Sequence, residues 1–291
     1  MSHRPIKKVF LVFKRSIFQK YVQTGRHPGL ISLHRRGHPL AKRLYNEHTT
    51  HSRTIEKIKE ELKSRAIRFK STTGHTIPGL GKYDLIITVG GDGTFLRASH
   101  QVTNQLVLGV NSSPQVSVGA LCSVTLKEFP TKLRAILNER YRTKSLNRLE
   151  IRVNGKKLRH LALNDVLFCN TSPGGTSRYS IAVGNRKEEQ RSSGVWISTS
   201  AGSTAAIRAA GGKRLPHFSK QIQYLVREPY RGRHAPYHIV RGTLPPGRTI
   251  KLVNQMLHAA LYIDGLQAIL KLHFGDRIEM KNSSCPLSVV I

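Results

Sequence analysis

The sequence predicts an α/β N-terminal domain built on a parallel sheet, followed by a β-rich C-terminal domain. In the first half, the apolar run 83–89 leads into a glycine-rich turn, a helix-like stretch and a second apolar run at 107–110. This is the order of a βαβ unit, whose strands are parallel. In the second half, short alternating segments dominate, and Asn154-Gly155 between two of them is typical of an antiparallel hairpin.

The length and composition favour a soluble globular protein of two domains. The chain has 291 residues with 38% hydrophobic content, and it contains no apolar stretch long enough to span a bilayer. We therefore expect no membrane association, and a domain boundary that separates residues 1–143 from residues 144–291. The three cysteines are far apart and odd in number, which favours a reducing compartment, and we expect a cytoplasmic protein; they are Cys122, Cys169 and Cys285.

The charge is strongly positive. Lys and Arg number 48 against 16 Asp and Glu, giving +32 and an isoelectric point near 10.8. Such a field attracts polyanions, including nucleotides, polyphosphate and nucleic acid. Residues 1–75 hold 18 basic and 4 acidic residues but no aromatic ladder or zinc-finger motif, so nonspecific nucleic-acid binding ranks second to nucleotide binding.

The N-terminal elements follow from local patterns. The apolar run 9–13 predicts the first strand, and residues 52–65 predict an amphipathic helix. Between them, residues 15–50 are rich in His, Arg, Gly and Pro, which predicts a long connection with a short helix at 41–46. Residues 129–142 predict a further amphipathic helix.

Fourteen histidines invite a metal hypothesis that their spacing does not support. Pairs three or four residues apart include His48/His51 and His234/His238, and no His-Glu-x-x-His helix occurs. Pro236 interrupts the second pair. We therefore expect solvated or hydrogen-bonded histidines and no protein-bound transition metal.

The glycine turn Gly90-Gly91-Asp92-Gly93-Thr94 is the most informative stretch of the first domain. An isolated Asp-Gly favours a hairpin, but a double glycine before it and a helix-like stretch after it favour a crossover. Glycines let the backbone approach a ligand closely, and phosphate fits such a turn. The sequence has no Gly-Lys-Ser/Thr, and Leu96 replaces the third glycine of a dinucleotide fingerprint, so neither of those motifs applies.

Asn111 ends the run 107–110 beside the strand that carries the glycine turn. Because parallel strands end at one edge of a sheet, Asn111 is a candidate for the same ligand. An Asx-turn before Pro114 is an equally good interpretation.

Asn164-Asp165 interrupts an apolar strand of the second domain. Buried polar groups need partners, and either a ribose diol or an internal partner would supply them. We expect short strands through the rest of this domain, at 149–153, 157–161, 179–183, 194–197, 237–240, 250–252, 260–263 and 277–280.

Residues 198–205 carry five hydroxyl groups and a glycine between a strand and an alanine-rich helix that Gly211-Gly212 would end. Hydroxyl and free N–H groups at a helix start can bind sugar or phosphate. The alternative is a helix cap with surplus hydroxyl groups.

Together, the glycine turn, Asn164-Asp165 and the segment 198–205 resemble the NAD kinase family in content and order. The glycine turn alone is shared with lipid kinases and phosphofructokinases, whereas the combination is much more specific. The resemblance runs from about residue 6 to the end, and three short segments resemble the mitochondrial-type branch, namely 111–114, 192–194 and 227–229.

The resemblance implies a Rossmann-like N-terminal domain and transfer of the γ-phosphoryl group of ATP, or of polyphosphate, to the 2′-hydroxyl of the adenosine ribose of NAD, with Mg²⁺ accompanying ATP. Asp92 would be the base or organising group, and Gly90, Gly91, Gly93 and Thr94 would hold phosphate. A homo-oligomer is also implied. NAD would be bound by Asn111, Asn164, Asp165, Ser203, Thr204 and Ala205.

Two departures from the family pattern bear on the choice between NAD and NADH. Ser193 replaces an Asp, and Ala206 replaces a Tyr that many members have. Asp264-Gly265 is interpreted as a hairpin turn. The competing functions are a lipid kinase with the same glycine turn and a non-catalytic basic protein that binds nucleotide or nucleic acid.

Overall fold

The structure is a computed structural model that describes residues 5–73, 77, 79–230 and 236–291. The chain divides into two compact units. The first unit runs to Lys144 and also includes Ser288–Ile291, and the second unit is Ser145–Leu287. The end of the chain thus departs from the expected segment 144–291, because the last strand joins the sheet of the first unit.

In chain order, the elements up to the boundary are β1 (Lys8–Phe13), a π-helical turn (Phe18–Gln23), α1 (Pro28–Arg35), α2 (Pro39–Ser64), β2 (Arg68–Thr72), β3 (Leu85–Gly90), α3 (Asp92–Ser99), β4 (Leu106–Asn111), β5 (Val124–Thr125), α4 (Phe129–Leu137) and β6 (Thr143–Leu146). The elements that follow are β7 (Leu149–Val153), β8 (Lys156–Lys157), β9 (Asp165–Asn170), β10 (Ser177–Val183), β11 (Arg186–Ser192), β12 (Val195–Thr199), a 3₁₀ turn (Ala201–Thr204), α5 (Ala206–Ala209), β13 (Ile222–Val226), β14 (Arg241–Leu244), β15 (Ile250–Asn254), β16 (Ala259–Ile263), β17 (Ala268–Leu272), β18 (Arg277–Asn282) and β19 (Leu287–Val290).

The sheet of the first unit has the strand order β2-β1-β3-β4-β19-β6, with β5 paired to β4. Strands β1, β2, β3 and β4 are parallel to their neighbours, and every residue of β3 is buried. The predicted βαβ unit is confirmed as β3-α3-β4. The carboxyl ends of β1, β3 and β4 therefore lie together at one edge of this sheet.

The second unit consists of two antiparallel sheets. Their strand orders are β11-β10-β15-β18-β7-β8 and β14-β13-β12-β9-β16-β17. One apolar core takes residues from both sheets, including Phe168 and Tyr179, whose rings meet edge to face with 5.1 Å between centroids. The predicted fold class, an α/β domain followed by a β-rich domain, is confirmed.

The predicted long connection over residues 15–50 is wrong, but the helices predicted at 41–46 and 52–65 are confirmed as parts of α2. Two helices begin there, each with a proline in its first turn, and the second runs for 26 residues to Ser64. The ring nitrogens Nδ1 of His27 and His38 accept hydrogen bonds from Leu30 N and Leu40 N, so histidine serves as the N-cap of both helices. Histidine is not among the usual capping residues, which is why the sequence did not mark these starts.

The predicted strand at 237–240 is also wrong, because the next strand starts only at Arg241. The Glu188 carboxylate accepts the N–H groups of His238 and Ile239, so a side chain replaces strand partners there. Glu188 lies on β11, which the sequence missed because the strand is almost entirely charged.

Candidate functional site

The glycine turn connects the buried strand β3 to α3 at the carboxyl edge of the first sheet. A Cβ atom on Gly90 would lie 2.4 Å from Thr94 Oγ1, and one on Gly91 would lie 2.7 Å from Ser117 Oγ. A Cβ on Gly93 would have no neighbour within 4 Å. A Cβ atom at Gly90 would thus clash with the buried Thr94 side chain, and one at Gly91 would require the Ser117 hydroxyl to turn away, while Gly93 leaves open space in the first turn of α3. The crossover interpretation is confirmed over the hairpin.

Asp92 lies in the first turn of α3, where the helix dipole stabilises a negative charge. Its carboxylate accepts hydrogen bonds from Ala120 N at 3.1 Å and Leu121 N at 2.8 Å. Each carboxylate oxygen retains a lone pair for a further donor or for a cation. Asp92 is half-buried, so it both fixes the loop after β4 and stays accessible to a ligand.

Thr94 has a different environment from the glycines around it. It is buried, its N–H donates to Gly91 O at 3.0 Å, and its side chain packs against Gly90. The Thr94 side chain therefore stabilises the turn.

A cavity of about 320 Å³ lies beside the turn at the ends of β1, β3 and β4. Lys14 and the buried His51 both line this cavity. Sequence reasoning missed both, because neither lies in a recognisable motif. The lining residues are Lys14, Ser16, Ile17, Leu44, Glu47, His51, Gly90, Gly91, Asn111, Ser112, Ser113, Val116 and Ser117.

Asn111 lines this cavity, but its amide group is already engaged. Its Nδ2 donates to Ser117 O at 2.9 Å, and its Oδ1 accepts from Ser113 N at 3.0 Å. The second bond is an Asx-turn, so that interpretation is confirmed. Asn111 shapes the loop that closes one side of the cavity.

In the second unit, Asp165 begins β9 and is buried. Burial and the nearby charge of Asp264 raise the pKa of the Asp165 carboxyl to about 7. Among the described residues, none donates a hydrogen bond to this carboxylate, and the buried Oδ1 of Asn164 has no partner there either. Adjacent residues thus present oxygen acceptors that call for donors such as ribose hydroxyl groups.

Asp264 fixes the backbone that presents these acceptors. Its carboxylate accepts hydrogen bonds from the N–H groups of Leu163, Asn164 and Asp165, at 2.9, 2.7 and 3.2 Å for the closest contacts. It lies in the turn between β16 and β17 with φ of 48°, so the predicted hairpin is confirmed. Sequence reasoning assigned it only this turn role.

The hydroxyl groups of residues 198–205 are largely directed inward. Ser198 Oγ donates to Asn164 O, Thr199 Oγ1 to Leu163 O, and Ser203 Oγ to Ser200 O. The alanine-rich helix that follows is only the four residues of α5, and neither it nor the 3₁₀ turn has a side-chain cap at its N-cap residue. These hydrogen bonds therefore hold the end of β12 against the residues that precede β9.

Gly202 allows this junction to be close, because a Cβ atom there would lie 2.1 Å from Asn164 O. Thr204 is exposed and Ala205 is half-exposed, whereas Ser203 is fully buried. Among the three predicted contacts, Thr204 alone carries a hydroxyl group that is open to a ligand.

The predicted site residues thus fall into two groups, each within one unit. The first unit brings together Asp92, Gly90, Gly91, Gly93, Thr94 and Asn111. The second unit brings together Asn164, Asp165, Ser203, Thr204 and Ala205.

The described residues contain neither a cluster of metal-ligating side chains nor a helix that could span a membrane. No three side chains of His, Cys, Asp or Glu lie together there as a metal site, and His234 lies outside those residues. Within the same part of the chain, no helix is both long and apolar enough to cross a bilayer.

The chain is similar in sequence to known proteins over most of its length. A sequence model of the ATP-NAD kinase N-terminal domain matches residues 35–141. A probable NADH kinase of Oryza sativa is 33% identical over 83% of this chain and 81% of its own length. An NADH kinase of Arabidopsis thaliana is 32% identical over 83% of each chain, and an NAD kinase of Methanospirillum hungatei is 30% identical over 70% of this chain and 72% of its own.

Two solved structures share the fold. An NAD kinase from Archaeoglobus fulgidus in complex with ATP matches 98% of this chain and 93% of its own, with a TM-score of 0.71 and 18% identity. Yeast NADH kinase complexed with NADH matches 99% of this chain and 84% of its own, with a TM-score of 0.69 and 19% identity.

Proposed function

Because the chain belongs to the NAD kinase family, we propose that it transfers the γ-phosphoryl group of Mg-ATP to the 2′-hydroxyl of the adenosine ribose of NAD, giving NADP. The observation that carries the proposal is the 33% identity to a kinase relative across 83% of the chain. The glycine turn at the carboxyl edge of the parallel sheet supports it, because open α/β sheets bind their ligands at that edge.

The glycine turn and the start of α3 hold phosphate in this proposal. The open space at Gly93 and the positive end of the helix dipole favour an anion there. Lys14 adds a positive charge to the neighbouring cavity. Phosphoryl transfer depends mainly on positioning and on screening of charge, which these groups supply.

Asp92 organises the acceptor hydroxyl and the Mg²⁺ that arrives with the nucleotide. Each of its oxygens keeps a lone pair after the two backbone hydrogen bonds, and the half-buried side chain remains accessible. A sugar hydroxyl has a very high pKa, so a carboxylate assists as negative charge develops on the attacking oxygen.

Asn164 and Asp165 receive the adenosine end of NAD, with Thr204 beside them. Ser203 and Ala205 contribute through the backbone, because the Ser203 hydroxyl is engaged and alanine has none. A ribose diol would donate to the unpartnered Oδ1 of Asn164 and to the buried carboxylate of Asp165.

The decisive experiment incubates the protein with Mg-ATP and NAD and measures NADP, with Asp92→Asn beside the wild type. We expect the variant to lose activity by about 100-fold or more. Asp84→Asn is the matched control, because the Asp84 carboxylate also accepts two backbone N–H groups, at the opposite end of β3. No NADP from the wild type, or equal loss in both variants, would contradict the proposal.

The same assay decides the acceptor and the donor. Two plant relatives are named as NADH kinases, so NADH is compared with NAD at equal concentrations. Polyphosphate is compared with ATP. Magnesium is proposed as the metal of the nucleotide, and its omission is expected to abolish turnover.

Three further expectations accompany this function: a homo-oligomer, a cytoplasmic location, and weak nonspecific nucleic-acid binding supported by the charge of +32. Sedimentation measures the first. A salt titration of binding to random DNA measures the third, and affinity that falls steeply with salt is the expected result. Phosphorylation of a lipid hydroxyl instead of NAD would favour the lipid-kinase alternative.

A further inference from the structure

A buried histidine connects the glycine turn to the long helix of the first unit. His51 lies on α2, is 3% exposed, and lines the cavity together with Gly90, Gly91 and Ser112. The proposed function assigns it no role. Its two ring nitrogens nevertheless reach the ends of two different strands.

The hydrogen-bond partners of His51 determine which of its ring nitrogens carries the hydrogen. Nε2 lies 2.9 Å from Lys14 O, and because a carbonyl can only accept, Nε2 carries the hydrogen. Nδ1 lies 2.7 Å from Ser112 Oγ, so in the neutral ring it accepts the hydroxyl hydrogen of Ser112. Burial lowers the pKa of His51 and outweighs the hydrogen bond to Lys14 O, which acts in the opposite direction; the charge of Lys14 acts with burial, so the ring is neutral near pH 7.

Ser112 continues this connection to the glycine turn. Its N–H donates to Gly90 O at 3.1 Å, and its hydroxyl is held by His51. Ser112 is itself 3% exposed, so water does not compete readily for either bond. A continuous series of hydrogen bonds therefore runs from Lys14 O through His51 and Ser112 to Gly90 O, the first residue of the turn.

We propose that His51 is a positioning residue for the phosphate-binding turn, acting through Ser112. The imidazole holds the Ser112 hydroxyl so that the Ser112 N–H stays aligned on Gly90 O. This alignment fixes the carbonyl that precedes the open N–H groups of the turn. The inference rests on the proposed function for the identity of the ligand, but the hydrogen bonds themselves are independent of it.

Two substitutions separate the two bonds of the ring. His51→Asn keeps an acceptor near the position of Nδ1 for Ser112 but loses the donor to Lys14 O. His51→Gln keeps a donor near the position of Nε2 for Lys14 O but loses the acceptor for Ser112. If the bond to Ser112 positions the turn, the Gln variant and Ser112→Ala should be impaired and the Asn variant should not.

The matched control is His48→Gln. His48 lies three residues earlier on α2 and bonds Ser16 Oγ at 2.9 Å through its Nδ1, but it contacts neither Ser112 nor the turn. His48→Gln and His51→Gln thus each remove a histidine hydrogen bond that is made from α2. Only His51→Gln also removes the hydrogen bond to Ser112, which follows β4.

Two measurements test the proposal. Amide hydrogen exchange across residues 90–94 is expected to accelerate in His51→Gln and Ser112→Ala, and to stay at the wild-type rate in His51→Asn and His48→Gln. In the kinase assay, kcat/KM for Mg-ATP is expected to fall about tenfold in the first two variants, the loss of roughly one hydrogen bond. The KM for NAD is expected to stay within about twofold of the wild type.

Equal exchange in all variants, or equal impairment by His48→Gln, would overturn the proposal. Ser112→Ala removes the same bond as His51→Gln, so the test holds even when the histidine variant folds poorly. If the wild type makes no NADP, the proposed function fails while the exchange data still decide whether His51 positions the turn.

Discussion

The carboxylates of Asp92, Asp165 and Asp264 have distinct surroundings. Asp92 is half-buried, and its carboxylate accepts hydrogen bonds from two backbone N–H groups. Asp264 is buried, and its carboxylate accepts from three backbone N–H groups. Asp165 is buried with no donor among the described residues. A carboxylate that its own fold leaves without donors is destabilising, and such groups concentrate at binding sites.

The burial of Asp165 predicts an unusual pH dependence of stability. Its pKa is about 7 in the folded state against 3.8 in the unfolded chain, so the folded state binds the proton more tightly. Stability therefore falls as the pH rises from about 4 to about 7, and the penalty is complete above that range. Asp165→Asn is expected to be more stable than the wild type at pH 8, on the order of 2 kcal/mol, and equal to it at pH 3.5.

Urea unfolding of both proteins at the two pH values measures this difference. A titration with NAD accompanies it, because the variant is expected to bind NAD more weakly while being more stable. A variant less stable than the wild type at pH 8 would show that the carboxylate has a partner in the folded state.

Asp264 is predicted to stabilise the second unit through its three N–H donors. Asp264→Asn replaces one acceptor oxygen with an amide that cannot accept, so a cost of about 1–3 kcal/mol is expected, together with weaker NAD binding. Asp276→Asn is the control, since Asp276 accepts from His273 N and Asn154 Nδ2 at the more exposed turn before β18. Guanidinium unfolding distinguishes the two, and equal costs would contradict a special role for Asp264.

At the scale of elements, the glycine turn depends on close packing at one glycine and open space at another. Gly90→Ala is expected to destabilise the protein by about 1–3 kcal/mol, because its Cβ would meet Thr94 Oγ1 at 2.4 Å. Gly93→Ala is expected to leave the free energy of unfolding unchanged or to raise it by up to about 1 kcal/mol, because Gly93 lies inside a helix with free space around it.

Thermal unfolding measures both glycine variants, and the kinase assay adds the functional result. Gly93→Ala should fold normally yet lose kcat/KM for Mg-ATP, because its new methyl group lies in the space proposed for phosphate. Full activity in a stable Gly93→Ala protein would place the phosphate elsewhere.

At the scale of the whole molecule, the chain leaves the first unit at Lys144 and returns to it for its last four residues. The returning strand β19 lies between β4 and β6, with Val290 1% exposed and Ile291 N donating to Arg142 O. The first sheet is therefore completed only after the whole second unit has been synthesised.

This topology predicts that the end of the sequence stabilises the first unit. Val290→Ala is expected to lower the free energy of unfolding by about 2 kcal/mol, and this destabilisation should appear as faster amide exchange in β3 and β4. Val118→Ala is the control, because Val118 is 93% exposed. Unchanged exchange in β4 after Val290→Ala would contradict this role of β19.

The sequence by itself determined the fold class, the βαβ unit, the hairpin at Asp264 and the family. The first three rest on local signals, since apolar periodicity, glycine clusters and turn residues act within a few positions of one another, and the family rests on three such segments in their order along the chain. The helix Pro28–Arg35 and the start of α2 at Pro39 escaped prediction, because histidine caps carry little local signal. The charged strand β11 escaped because its alternation is between polar residues.

Only the tertiary structure decided how the polar residues are used. It directed most hydroxyl groups of residues 198–205 into the protein, engaged the amide of Asn111, and gave Asp264 three backbone donors. It also brought His51 to Ser112, 61 positions away in the chain. Hydrogen-bond partners distant in sequence depend on the packing of whole elements, and no local pattern encodes them.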